Sequence, residues 1–147
     1  MTSRFQPPPI IKAAERLLVD IEQAVRVFPR YHRYQVGADV RRQAAEVLRL
    51  ALRAWRDRPH QRRWVERLVW AVDDLKQSLQ IAKLLQAYRS FRQFEHLARS
   101  AEQLGAQAGG WRRQLISPQA QNAEGRGAVP QRGQKLSTRA ASAGANP

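Results

Sequence analysis

Cysteine is missing from the 147 residues, which excludes disulfides and thiolate metal sites and fits a cytosolic setting. Long hydrophobic runs are missing too. No stretch approaches the roughly 20 uninterrupted apolar residues of a membrane span, and Met1 is followed by no apolar run of signal-peptide type. The expectation is a cytoplasmic protein without a membrane partner. No β-type alternation of useful length occurs, which argues against a sheet. Acidic residues are scarce, 12 against 26 lysines and arginines, so the net charge is +14 and the pI about 11.6. An excess of that size calls for an acidic partner, of which nucleic acid, an anionic membrane and an acidic protein are the classes. A basic surface that serves solubility alone is the plainer alternative.

Catalytic groupings are equally scarce. His32, His60 and His96 lie far apart in sequence and form no metal-spaced pair. Asp73 and Asp74 are adjacent, and adjacent helical residues point about 100° apart, so they do not act jointly on one atom. No Ser-His-Asp set and no phosphate-cradling glycine loop ahead of a helix is present. The chain is therefore expected to be no enzyme, with no catalytic residue, metal or cofactor.

What the sequence does contain is helical periodicity. After a proline-rich lead-in over 1–9, Ile10, Ala14, Leu17, Ile21, Val25 and Phe28 recur at three- and four-residue steps and share one face. Pro29 closes this helix. Arg30-Tyr31-His32-Arg33-Tyr34 reads as a basic aromatic loop. Its tyrosines either stack on unpaired bases or pack into the end of the fold, and packing is favoured; its arginines are expected to be exposed. A second helix opens near Gly37 and Asp39, with Val40, Ala44, Val47, Ala51 and Ala54 as its stripe, widened by Leu48 and Trp55. Asp57-Arg58-Pro59 breaks it. A third helix over about 61–88 carries Leu68, Val72, Leu75, Leu79 and Ala82, and Val65, Val69, Leu84 and Leu85 make it broadly apolar. Ser90 is the expected N-cap of a fourth, along which Phe91, Phe94, Leu97, Ala101, Leu104, Ala108, Trp111 and Leu115 repeat. Trp55, Trp64, Trp70 and Trp111 are mostly expected to be core or subunit-interface anchors. Trp64 and Trp70 are six residues apart and cannot share a face, so one of them is expected to look outward, toward a neighbouring subunit.

Four amphipathic helices joined by short breaks predict an all-α, antiparallel up-down four-helix bundle over 10–115. Beyond it, over 116–147, Ser, Gln, Ala, Gly and Pro dominate, which predicts a disordered basic tail. That tail carries Arg126, Arg132, Lys135 and Arg139 against Glu124, so only +3 of the +14 lies there and +11 lies before it.

Within the bundle the arginines are patterned. Arg42, Arg49, Arg53 and Arg56 fall at steps of seven, four and three, along one helix face, with Arg41 beside them. A guanidinium donates two parallel hydrogen bonds to phosphate oxygens, so such a ridge suits a polyanion. Glu46 stands where it can neutralise part of it. Arg62, Arg63 and Arg67 extend the pattern over the next turn. Arg30, Arg33, Arg42, Arg49, Arg53, Arg56 and Arg63 are the candidate contacts to nucleic acid or to a nucleic-acid enzyme.

The stretch from Phe28 to Arg41, FPRYHRYQVGADVR, resembles the helix 1–2 junction of a bacterial four-helix-bundle family. That family includes Avd, the accessory variability determinant of diversity-generating retroelements, and proteins encoded in intervening sequences of large-subunit ribosomal RNA genes. Leu104-Gly105-Ala106-Gln107-Ala108-Gly109-Gly110-Trp111 is similar to the Gly-Gly-Trp ending of the fourth helix in Avd-like members. The resemblance spans roughly Ile10 to Leu115. It implies a homopentamer that binds the retroelement reverse transcriptase and its RNA or DNA in support of mutagenic copying. The other branch implies a ribosomal-RNA-associated protein with no polymerase partner; a purely structural oligomer or a membrane-surface protein, which basic amphipathic helices permit, is the third alternative. The resemblance supplies no binding residues, so the candidate contacts rest on charge spacing.

Overall fold

Proline cannot donate to a helix ladder and is tolerated in a first turn. The chain uses this at once: Pro8 is extended, and α1 (Pro9–Arg26) starts on the proline after it. A computed structural model describes residues 6–127, with side chains as far as Ile116. Pro29 then plays two parts. It stands just past the end of α1, and its carbonyl accepts from the His32 and Arg33 amides, which starts the single turn α2 (Arg30–Arg33). This segment is therefore a helical turn and not the loop that the sequence suggests; four residues are too few to show a period. α3 (Val36–Arg56), a 3-10 turn (Arg58–His60), α4 (Gln61–Leu84) and α5 (Phe91–Gly127) follow. No strand occurs among the described residues.

The chain divides into two units at Arg112. In the first, the helices form the all-α bundle that the periodicity predicts. α3 packs against both α1 and α4. The register follows from cross-helix pairs. Arg41 on α3 meets Glu22 on α1 at 2.9 Å. On α4 and α5, Glu66 meets Arg112 at 3.3 Å and Lys76 meets Glu102 at 3.6 Å, a pairing that runs antiparallel. His96 on α5 returns to Asp20 on α1 at 3.0 Å. The apolar stripes read from the sequence meet in one core, in which Leu17, Ile21, Val47, Leu68, Leu75, Leu79, Leu97 and Leu104 are fully buried. Each such side chain contributes about 1.5–3 kcal/mol on removal from water.

Helix ends are closed by identifiable groups. Ser90 Oγ accepts from the Gln93 amide at 3.2 Å, the expected N-cap. α4 ends earlier than its hydrophobic run, in a left-handed cap at Gln86 (φ 58°). The Ala87 and Gln86 amides reach back to the Ala82 and Lys83 carbonyls, and Ala82 and Ala87 are both buried. Because α4 stops there, Leu84 and Leu85 are exposed instead of completing an apolar flank, and Phe91 is exposed with them. Tyr88 does pack inward: its ring meets Phe28 edge-on at 5.3 Å, and its hydroxyl donates to the Leu79 carbonyl at 2.8 Å. The helical backbone of α5 continues past Leu115 to Gly127. The side chains from 117 on, the first five residues of the lead-in, and residues 128–147 lie outside the described residues, and most of the expected disordered tail lies there too. No helix among the described residues is long and apolar enough to cross a membrane.

Candidate nucleic-acid interface

The turn from α3 to α4 is short, and one carboxylate organises it. Asp57 Oδ2 accepts the Trp64 indole N–H at 2.8 Å, and Asp57 Oδ1 lies 3.1 Å from His60 Nδ1. The Trp64 hydrogen bond, helped by His60, holds the Asp57 carboxyl below its ordinary pKa of 3.8. Gln61 Nε2 donates to the Ala54 carbonyl at 2.9 Å, which satisfies an end carbonyl of α3 that the helix leaves open. The turn is thus pinned from both sides.

Around this pinned turn the arginines concentrate. Between positions 53 and 67 stand Arg53, Arg56, Arg58, Arg62, Arg63 and Arg67, all exposed. Only two carboxylates share that stretch. Asp57 is engaged by Trp64 and His60, and Glu66 by Arg112. Among the described residues, none of the six arginines has a carboxylate within 4 Å. Aromatic rings hold three of them instead. Arg53 from α3 and Arg67 from α4 each sit 5.1 Å from the centre of the Trp64 ring, and Arg56 sits 5.5 Å from that of Trp55. A cation over an indole face is oriented without being neutralised. The end of the bundle therefore presents pre-positioned guanidinium groups whose charge remains available to a polyanion.

The seven candidates divide over the structure. Arg53, Arg56 and Arg63 belong to this end. Arg42 and Arg49 lie further back on α3, where each has a local partner, Asp39 at 2.9 Å and Glu46 at 3.1 Å. Exposed pairs of this kind are weak, yet each carboxylate offsets its arginine in the local field. Arg30 and Arg33 lie at the opposite end of α3, whose 21 residues span about 30 Å. Arg30 is exposed. Arg33 is not, contrary to expectation: its Nη2 donates to the Phe28 carbonyl at 3.3 Å, and its Nε is buried with no partner among the described residues. It closes α1 more than it faces outward. The adjacent tyrosines also differ from expectation, since Tyr31 and Tyr34 are 78% and 67% exposed and do not pack into the bundle end.

Spacing along one helix did not single out Arg58, because it sits in the break between two helices; the density of arginine across the break, Arg56 to Arg63, is the signal that marks it. Arg62 and Arg67, seen in the sequence as extensions of the ridge, are full members of the cluster. Trp64 and Trp70 separate as their spacing requires: Trp64 is half-buried and Trp70 is 62% exposed. Compared with protein-family models and with curated proteins, the chain matches none.

Proposed function

We propose that the chain is a non-catalytic, nucleic-acid-binding accessory protein that works beside the reverse transcriptase of a diversity-generating retroelement, in the manner of Avd. One observation carries the nucleic-acid part: six exposed arginines around the α3–α4 turn, unmatched by carboxylates among the described residues. Phosphate is the polyanion that this geometry suits, since arginine forks match its oxygens and binding releases condensed counterions. The polymerase part, and with it the homopentamer, rests on the resemblance of the Phe28–Arg41 junction and the Gly109-Gly110-Trp111 ending.

Salt-dependent binding tests the reading. The protein binds a 20-nucleotide RNA or DNA, and the logarithm of its affinity falls linearly with the logarithm of salt concentration. Replacing Arg58 and Arg63 by glutamate lowers that slope by about 1.4, near 0.7 for each phosphate of a single strand that is no longer neutralised. Arg99→Glu, on α5 and paired with Glu95, leaves it unchanged. A double variant that keeps the parent slope removes the α3–α4 end from the interface. Co-elution with a reverse transcriptase encoded beside this chain tests the polymerase part.

A further inference from the structure

We infer that the arginine end selects single-stranded over double-stranded nucleic acid, with Trp70 as the platform on which an unpaired base stacks. This rests on the nucleic-acid reading above and assigns its substrate class. Two tryptophans lie on α4, and they are used differently. Trp64 is committed: its N–H is bonded to Asp57 and its ring is flanked by Arg53 and Arg67. Trp70 is 62% exposed. It lies three residues after Arg67 and seven after Arg63, on the same face of α4. Those steps place the two arginines about 4.5 and 10.5 Å back along the helix axis. A base lying on the indole thus brings its own phosphate and the next within reach of side chains as long as arginine.

Charge decides both the occupant and its direction. The charged neighbours of Trp70 within two turns along its face are Arg63, Glu66, Arg67, Asp73 and Asp74, all exposed. The core of a protein–protein interface is depleted of Asp and Glu, so the three acids among these neighbours disfavour Trp70 as an anchor for another protein. Glu66 is held by Arg112. Asp73 and Asp74 lie on the side away from the turn and repel phosphate, whereas the six arginines lie toward it. A strand leaving Trp70 therefore runs toward the α3–α4 turn. A duplex keeps its base faces stacked inside and offers only phosphates, so it uses the arginines and not the indole. Stacking on an aromatic side chain tolerates any base, which makes the preference one of strandedness and not of sequence.

The test compares a 20-nucleotide oligouridylate with an RNA duplex of the same length at one salt concentration, using the full chain. Trp70→Ala weakens single-strand binding roughly tenfold, leaves duplex binding within twofold, and leaves the salt slope unchanged; Trp70→Phe restores part of the loss. Equal weakening for both probes, or none for either, overturns the inference while the arginine reading stands. A change in the solution mass of Trp70→Ala by light scattering, with single-strand binding intact, also overturns it and assigns the indole to a protein contact. Failure of the unaltered protein to bind either probe overturns the nucleic-acid reading itself, and this inference with it.

Discussion

Two glycines in the bundle make opposite predictions for the same substitution. Gly37 lies in the first turn of α3 and is buried where α1, α2 and α3 meet. A Cβ built there meets Val25 Cγ1 at 2.8 Å, the His32 carbonyl oxygen at 3.2 Å and Phe28 Cδ2 at 3.3 Å. Val25 and Phe28 are both in the core, and the carbonyl belongs to the backbone, so no neighbour moves freely. Overpacking of this kind costs about 1–3 kcal/mol. Replacing a helical glycine by alanine returns up to about 1 kcal/mol, less in a first turn. Gly37→Ala therefore destabilises by about 1–2 kcal/mol. Gly105, on α5, meets Lys76 Nζ at 2.7 Å and Cε at 3.0 Å, with Val72 Cγ1 at an ordinary 3.7 Å. The obstruction is the far end of a flexible side chain that gives up only a surface pair with Glu102. Gly105→Ala stabilises by about 0.5 kcal/mol. For a chain of this length about 3–4 °C in Tm corresponds to each kcal/mol, so the two variants melt on either side of the parent and differ by about 5–10 °C. Thermal and urea unfolding followed by circular dichroism measure this. Gly37→Ala as stable as the parent, or the reverse order, refutes the packing argument at the α1–α3 junction.

The remaining predictions concern titration. Asp57 has a depressed carboxyl pKa in the folded state, so its contribution is complete above pH 3.8 and is lost as pH falls through the folded value. The stability gap between the parent and Asp57→Asn narrows on acidification below pH 3.8, and a gap constant from pH 7 to 3 contradicts the Asp57–Trp64 assignment. Burial pushes the Tyr88 hydroxyl above its ordinary 10, so its contribution is complete below pH 10 and fades as pH rises beyond. Tyr88→Phe costs about 1 kcal/mol near neutrality, the net worth of one hydrogen bond, and urea midpoints at pH 8 and 11 show the parent's advantage shrinking at the higher pH. An advantage unchanged at pH 11 places the hydroxyl in water.

The core was legible in the sequence because burial follows period. Every residue of the first two stripes, from Ile10 to Phe28 and from Val40 to Ala54, is buried as the spacing requires. Legibility failed where a helix ends. Leu84 and Leu85 continue the apolar composition of α4, but the backbone turns left-handed at Gln86, which composition does not reveal. The site was half legible for a related reason. Spacing of arginines along one helix ranks Arg42 and Arg49 with Arg53 and Arg56, whereas the pairs with Asp39 and Glu46 and the stacking on Trp64 and Trp55 set them apart. Arg33 has the composition of a surface residue, and only the path of the chain around Pro29 turns its guanidinium inward to the Phe28 carbonyl.

The length of α3 works as a ruler. Arg30 and Arg56 stand at the two ends of a helix about 30 Å long, and duplex DNA rises about 3.4 Å for each base pair. Fragments below about nine base pairs are too short to reach from one to the other. Longer ligands can lie along the rod and gain a second foothold, so affinity should step upward at that size instead of growing evenly with every added pair.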